Sequence, residues 1–343
     1  MVNMGFIYMK IIKKAIILFL PLLLLAACNG RQQNESPPGQ TGKSPEMAGQ
    51  ASEPGQPELS GQPGQPSDPD KPTSELPSIL DDASEYDDWP IRVVNPSAQE
   101  LWSFTASELA GLAPEKTEPF IHAYSTINNW PSERFLVAAG YSVESILKLA
   151  GVFDSAQTLT FRAEDGYEVS LTRQQLLKEQ YYYPNVGQNG DGAEPVVPII
   201  AYRLREGTSD TSQLRAEKPA LIFGQSYPFE HTNPAFVERV AEIVVDDSPC
   251  ESWEPASTFP LPGQIAEGET VKLQHASIGL VKLHYTLDGS DPTPLSKMYN
   301  PSTYQPELNV PIPITEPVTI KVLVTGFGKN DSEIAEFEFL PIS

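Results

Sequence analysis

The chain contains few of the side chains on which most catalytic and metal-binding sites depend. Its 343 residues include two cysteines and four histidines. The histidines form no HExxH motif and no pair with the spacing of a zinc site. The carboxylates form no pair that the sequence places together, so acid–base catalysis has no candidate residues. We therefore expect no catalytic residue and no metal site, and the sequence favours a binding protein over an enzyme.

Positive charge is scarce as well. Lys and Arg together number 23, against 45 Asp and Glu, which gives a formal net charge of −22. No basic stripe is available to neutralise phosphates, and this excludes nucleic acid as a partner. An acidic balance suits a protein that is tethered near an anionic surface, because repulsion discourages non-specific adhesion.

The N-terminal segment is basic and then apolar. Three lysines precede an apolar run over residues 15–25, and Leu25-Ala26-Ala27-Cys28 closes it. This pattern resembles the lipobox of bacterial lipoproteins, in which the cysteine accepts a diacylglyceryl group and the preceding signal is removed. We expect a signal peptide at residues 1–27, a lipid on Cys28 and a mature chain on the extracytoplasmic face of the cell membrane. The alternative is an ordinary signal peptide or a short transmembrane helix, although the run is shorter than the about twenty residues that a spanning helix needs.

Lipidation of Cys28 would leave Cys250 as the one free thiol, so no internal disulfide is expected. Cys250 lies in an acidic, Pro-containing stretch and is expected to be an incidental linker residue. Residues 28–88 form the lipidated start and a segment dominated by Pro, Gly, Gln, Ser and Glu, with no aromatic residue before Tyr86. Such a segment buries too little apolar surface to offset its ordering entropy, so we predict a disordered linker and the first ordered structure near Trp89.

Residues 89–250 mix helix and strand patterns. A capping box from Thr105 to Glu108 predicts a short helix, and the apolar spacing of residues 143–150 predicts a second helix that stops at Gly151. Alternating apolar residues on either side of Asp165-Gly166 predict a hairpin. A helical stretch at 172–180 and apolar runs at 196–202, 220–223 and 237–245 follow. The pattern indicates an α+β domain.

Four segments of this region resemble the sulfite-oxidase-type molybdopterin-binding domain. They are the helix at 141–151, the strand and Asp165-Gly166-Tyr167 turn at 161–167, the apolar strand at 198–202 and the Pro-apolar-Gly segment at 218–224. The resemblance implies that family's fold. In catalytic members, a cysteine thiolate in the loop before the second helix holds the metal.

The corresponding loop here, residues 124–131, has no cysteine. The hydroxyls of Ser125 and Thr126 do not replace a soft thiolate ligand. We therefore expect the fold without a cofactor, and molybdopterin is kept as the alternative.

Residues 255–343 show short alternating strands. Residues 281–287 lead into the tight turn Asp288-Gly289, and strands follow at 318–324 and 334–339. This spacing predicts an all-β, immunoglobulin-like sandwich. The string Tyr285-Thr286-Leu287-Asp288-Gly289-Ser290-Asp291-Pro292-Thr293 resembles the chitobiase C-terminal, fibronectin-III-associated module, which implies an accessory role. Asp288, Ser290 and Asp291 are expected to build the turn rather than to bind calcium.

Three parts of the sequence supply the candidate ligand-binding residues. They are Asn128, Asn129, Trp130 and Arg134 in and after an Asn-Asn-Trp-Pro loop, Tyr181, Tyr182 and Tyr183, and His231 in a later loop. An aromatic face beside amide groups suits a sugar or a small polar ligand. The alternative is turn chemistry for the asparagines, core packing for the tyrosines and a locally hydrogen-bonded loop position for His231.

We expect a membrane-anchored, extracytoplasmic lipoprotein that binds or positions a partner at the cell envelope. The partners would be the membrane, through the lipid on Cys28, and a cell-wall glycan or an envelope protein. Two alternatives stay open. One is a molybdopterin-dependent oxidoreductase with a non-standard cofactor site, and the other is a carbohydrate- or cell-wall-active protein.

Overall fold

The computed structural model describes residues 82–117 and 119–342. The predicted signal peptide, Cys28 and most of the predicted linker lie outside these residues. Among the residues that are described, no helix has both the length and the apolar character needed to cross a membrane.

Ordered structure begins before Trp89, in the last part of the predicted linker. A 3-10 helix spans Glu85–Asp88 and is capped by Ser84. Asp87 forms a two-point ion pair with Arg203, at 2.6 and 3.0 Å, and both side chains are 6% exposed. The predicted boundary near Trp89 is therefore several residues too late, because a pair between residues this far apart leaves no local pattern in the sequence.

The residues from 91 to 246 form eleven strands, which lie in three sheets, and three short α-helices. In chain order they are β1 (Ile91–Val94), β2 (Glu100–Phe104), α1 (Ala106–Ala110), β3 (Pro119–Ile127), β4 (Glu133–Ser142), α2 (Val143–Leu149), β5 (Thr158–Ala163), β6 (Glu168–Thr172), α3 (Arg173–Leu177), β7 (Gln180–Tyr182), β8 (Glu194–Val196), β9 (Ile199–Glu206), β10 (Arg215–Ile222) and β11 (Val240–Asp246). The sheet orders are β2-β1-β11-β5-β6, β10-β9-β4-β3 and β7-β8. Strands β1 and β11 are parallel, and their other pairings are antiparallel.

The four-stranded sheet is buried on both faces, which explains its nearly continuous apolar strands. Alternate residues of a strand point to opposite faces. In β9, Tyr202 packs into the large core shared with the five-stranded sheet and α2, whereas Ala201 packs into a second cluster with Tyr124 and Tyr182. A strand buried in this way shows little of the alternation that marks a half-exposed sheet.

The predicted capping box at Thr105 and the predicted helix stop at Gly151 are confirmed. Thr105 and Glu108 form a reciprocal capping box at α1, and Ser142 caps α2. Gly151 has a φ of 72°, where a side chain would strain the backbone, and it follows the end of α2 as expected. The helices are nevertheless only five, seven and five residues long. The described chain is therefore mostly β, with fewer helical residues than the α+β prediction implied.

The C-terminal residues form two sheets around a separate core, which agrees with the predicted β-sandwich. The strands are β12 (Ser257–Phe259), β13 (Gly263–Ala266), β14 (Thr270–Gln274), β15 (Val281–Thr286), β16 (Lys297–Met298), β17 (Ile312–Pro313), β18 (Val318–Gly326) and β19 (Ala335–Ile342). The orders are β12-β14-β17 and β13-β19-β18-β15-β16. Val271 and Leu273 of the first sheet pack with Leu283, Val322 and Phe339 of the second.

The turn after β15 has the predicted chemistry. The carboxylate of Asp288 accepts hydrogen bonds from the backbone N–H and the hydroxyl of Ser290, at 3.0 and 2.6 Å. Asp291 pairs with Lys321 at 2.8 Å. These contacts use the polar side chains of the turn within the module itself.

Candidate functional site

A cleft of about 1430 Å³ lies where loops of the middle region face the C-terminal sandwich. Both parts belong to one compact unit of the chain. The cleft wall includes five of the eight residues that the sequence predicts for ligand binding: Asn128, Asn129, Trp130, Arg134 and His231. Typical ligand pockets measure about 300–1,000 Å³, so this cleft is larger than most, and a few polar groups converge on its wall as they do in ligand sites.

The loop between β3 and β4 is built by Asn128. Its side-chain oxygen accepts hydrogen bonds from the backbone N–H of Trp130 at 2.9 Å and of Ser132 at 3.1 Å. The amide is thus used in turn chemistry, which was the alternative interpretation for this residue. The result of the turn is that Trp130 projects outward, with 56% of its surface exposed.

A first contact ties this loop to the sandwich through Ser302. The Ser302 hydroxyl donates to the backbone oxygen of Asn129 at 2.7 Å and accepts from the backbone N–H of Tyr304 at 3.1 Å. The contact places Trp130 beside Tyr304, with ring centroids 6.3 Å apart and a tilt of 35°. One aromatic side chain therefore comes from each part of the molecule.

A second contact is made by Gln175 on α3. Its side-chain nitrogen donates to the backbone oxygens of Gly326 and Lys329, at 2.7 and 3.1 Å. Its side-chain oxygen accepts from the backbone N–H of Gly328 at 2.9 Å and from that of Thr172 at 3.0 Å. We call the Ser302 and Gln175 contacts the two clamps. Together they fix the two walls of the cleft relative to each other, so binding has little ordering entropy to offset.

Three large aromatic side chains on the cleft wall remain exposed: Trp130 at 56%, Tyr304 at 68% and Tyr167 at 49%. The hydroxyl of Tyr167 donates to the backbone oxygen of Pro234 at 2.9 Å, which fixes the ring. Burial raises the pKa of Tyr167, and nearby Tyr304 raises it further. Exposed aromatic surface held in place by hydrogen bonds is typical of a binding surface.

The charged groups of the cleft fall into two sets. In one, Lys178 pairs with Glu230 at 2.8 Å, and burial together with the Glu230 charge raises the pKa of Asp331. In the other, burial lowers the pKa of Lys282 to about 8 and that of His231 to about 3, the latter with help from the nearby Lys282. His231 Nδ1 is buried and has no hydrogen-bond partner among the described residues.

The remaining sequence candidates lie elsewhere or on the rim. Arg134 is exposed on the cleft wall and pairs with Glu206 at 3.5 Å. Tyr182 and Tyr183 are buried in apolar clusters, and the hydroxyl of Tyr181 donates to Glu179 at 2.8 Å. The three tyrosines do not line the cleft, so core packing, the alternative interpretation, describes Tyr182 and Tyr183.

Sequence reasoning missed Tyr304, Tyr167, Gln175 and Lys282. They are distant in sequence from Trp130 and belong to other elements. Only the packing of the two parts brings them to one wall. Gln175 had a local signal, the Thr172–Gln175 capping box, but that signal explains the start of α3 and not the contact across the cleft.

The two hydroxyls in the loop at which the sequence resemblance would place a metal ligand are bonded within the protein. Ser125 is fully buried, and its hydroxyl donates to Gln225 at 2.7 Å and accepts from the backbone N–H of Tyr183 at 2.8 Å. The hydroxyl of Thr126 lies 2.7 Å from that of Thr232. Cys250 contacts the Gln157 backbone oxygen at 3.2 Å, outside this loop. Internal hydrogen bonds thus occupy the hydroxyls, and no soft ligand stands beside them.

Comparison with known proteins bears on the C-terminal part. The chain resembles a solved structure of the sulfane dehydrogenase SoxCD from Paracoccus pantotrophus, at 9% identity and a TM-score of 0.32, over 72% of this chain and 73% of that one. No curated protein matches the chain. Residues 260–336 match the chitobiase/beta-hexosaminidase C-terminal domain, which confirms the resemblance expected for this segment.

Proposed function

We propose that the protein is a lipid-anchored, extracytoplasmic lipoprotein that binds a glycan in the cleft between its middle region and its C-terminal sandwich, without catalysing a reaction. The observation that carries this proposal is the pair of exposed rings, Trp130 and Tyr304, held 6.3 Å apart by the Ser302 clamp. Aromatic faces beside amide and hydroxyl groups offer a sugar both apolar contact and hydrogen bonds.

The matched module supports a carbohydrate ligand rather than an envelope protein. Residues 260–336, which supply Tyr304 and Lys282 to the cleft, match a domain that accompanies carbohydrate-related enzymes by its description. The cleft is also concave, whereas protein partners usually meet flatter surfaces of larger area.

Binding to a glycan is tested by isothermal titration of the full chain with an N-acetylglucosamine oligosaccharide and with a peptidoglycan disaccharide. Trp130→Ala removes one of the two rings and is expected to weaken binding by about 2 kcal/mol, or roughly 30-fold. Leu261→Ala is the control, because Leu261 is 78% exposed but does not line the cleft. Equal affinities for the wild type and Trp130→Ala would rule out the proposed site.

The membrane anchor is supported by Leu25-Ala26-Ala27-Cys28 and the lysines before it. Partition between detergent and aqueous phases tests this part separately. The wild type is expected in the detergent phase and Cys28→Ala in the aqueous phase. Identical partition of the two proteins would contradict lipidation at Cys28.

For the middle region we propose the molybdopterin-domain fold without its redox chemistry. The support is the ordered set of resembling segments, together with the internal hydrogen bonds of Ser125 and Thr126. Protein produced in a host that makes the cofactor is expected to contain no stoichiometric molybdenum. About one molybdenum per chain, lost in Ser125→Ala or Thr126→Ala, would favour the oxidoreductase alternative.

A further inference from the structure

One lysine on the cleft wall differs from the others. Four cationic residues line the cleft, and three of them pair with a carboxylate: Arg134 with Glu206 at 3.5 Å, Lys178 with Glu230 at 2.8 Å and Lys329 with Glu251 at 2.7 Å. Among the residues that the structure describes, Lys282 has no carboxylate within 4.0 Å.

The surroundings of Lys282 compensate its charge only weakly. Its nitrogen donates to the backbone oxygens of Pro301 and Asn300, at 3.2 and 3.3 Å, and to the side-chain oxygen of Asn129 at 3.5 Å. These are neutral acceptors at long distances. A partly buried ammonium group without a counter-charge is costly, and burial accordingly lowers the pKa of Lys282.

The two histidines near Lys282 add no positive charge at neutral pH. Burial, with help from Lys282, lowers the pKa of His231 to about 3, and a backbone hydrogen bond to Asn128 opposes this shift only in part. Burial also lowers the pKa of His284, whose ring nitrogens lie 3.3 Å from the backbone oxygen of Ser296 and 3.2 Å from the hydroxyl of Thr325. The ammonium group of Lys282 is therefore the cation available to an anion at this end of the cleft.

The acidic residues of the cleft are engaged elsewhere. Glu168 pairs with Arg162 at 2.7 Å, and Glu230 pairs with Lys178. The third, Asp331, forms no ion pair with Lys282 within 4.0 Å, and Lys178 and Glu230 influence the pKa of its carboxyl. In a chain of net charge −22, one end of the cleft therefore keeps an unpaired positive charge.

We infer that Lys282 forms a subsite for an oxyanion carried by the glycan, a carboxylate or a phosphate, so that the preferred ligand is an acidic saccharide. This inference rests on the glycan-binding function proposed above. The ammonium group would donate to the oxyanion, while Trp130 and Tyr304 contact the sugar rings. A charge-assisted contact of this kind selects between ligands of the same shape but different charge.

The test compares three saccharides on the full chain by isothermal titration: a neutral N-acetylglucosamine disaccharide, the disaccharide in which one sugar carries a lactyl carboxylate, and a phosphorylated disaccharide. The wild type is expected to bind at least one anionic ligand roughly 10-fold more tightly than the neutral one. The two anionic arms distinguish a carboxylate from a phosphate. Equal affinity for neutral and anionic ligands would overturn the subsite and leave glycan binding intact. Failure of all three ligands to bind would overturn both proposals.

Lys282→Met keeps the length of the side chain and removes its charge. It is expected to abolish the preference for the anionic ligand while changing the affinity for the neutral ligand by less than about 2-fold. Lys329→Met is the matched control, since that lysine is paired and should leave the preference unchanged. A preference that survives in Lys282→Met would contradict the assignment.

The wild type offers a readout that needs no variant. Because Lys282 loses its proton near pH 8, the preference for the anionic ligand should fall as the pH rises through that value. Added salt should also reduce the preference. A preference that stays constant from pH 6.5 to 9.5 would contradict the role of Lys282, even if the substituted proteins failed to fold.

Discussion

Replacement of Gln175 by Ala is expected to destabilise the protein more than replacement of its exposed neighbour Gln174 by Ala. The side chain makes three hydrogen bonds across the cleft, at 2.7, 3.1 and 2.9 Å, and one within the capping box at 3.0 Å. Each of the three hydrogen bonds across the cleft is worth about 1 kcal/mol net. The expected loss is therefore about 3 kcal/mol.

A loss of this size corresponds to a fall of roughly 6–12 °C in the melting temperature of a domain of this size range. Differential scanning calorimetry of the full chain measures it. Gln174→Ala is the matched control, because Gln174 is an exposed neighbour on the same helix without a side-chain hydrogen bond across the cleft. A melting temperature of Gln175→Ala within about 1 °C of that of Gln174→Ala would refute the reasoning, since it would mean that the Gln175 clamp contributes nothing.

Gln175→Glu tests the side-chain NH2 group of Gln175 separately from its side-chain oxygen. The glutamate keeps an oxygen for the N–H groups of Gly328 and Thr172, but it faces the oxygens of Gly326 and Lys329 with a carboxylate oxygen instead of an NH2 group. At pH 7 this variant should be at least as unstable as Gln175→Ala. A stability equal to that of the wild type would show that the NH2 group is not what holds the two parts together.

The remaining predictions concern stability as well. Burial lowers the pKa of His231 to about 3, below its value near 6.5 in the unfolded chain, so the unfolded state takes up a proton first as the pH falls. The contribution of His231 to the free energy of unfolding should therefore be fully present above about pH 6.5 and decline below it. His231→Gln should flatten the decline in the free energy of unfolding between pH 6.5 and 5. A parallel decline in the wild type and the variant would contradict this. Arg203→Leu leaves Asp87 buried without its partner and should cost roughly 3–5 kcal/mol in urea denaturation, whereas Arg203→Leu with Asp87→Asn should cost less. Equal losses in the single and double variants would contradict the buried pair.

The features that the sequence predicts correctly are those decided by neighbouring residues. The capping box at Thr105, the helix stop at Gly151 and the Asp165-Gly166 turn depend on residues a few positions apart, and all three are present. The C-terminal strands follow the same logic, because one face of each packs on the core and the alternation stays visible.

The features that the sequence does not predict depend on contacts between distant residues. The cleft combines Trp130 with Tyr304, and neither position has a local signal for the other. The 3-10 helix ahead of Trp89 depends on the pair of Asp87 with Arg203 in the same way. The helical stretch predicted at 172–180 ends at Leu177, because Gln180 begins β7 and pairs with the distant Val196 of β8.

The most direct measurement is the affinity of one glycan for the wild type, for Trp130→Ala and for Tyr304→Ala, by isothermal titration under the same conditions. A single site built from both parts of the molecule requires that either substitution weakens binding, by roughly 10-fold or more, because each ring belongs to a different part. We expect both variants to lose affinity while retaining the melting temperature of the wild type. Unchanged binding by Tyr304→Ala would contradict a glycan site between the middle region and the C-terminal sandwich.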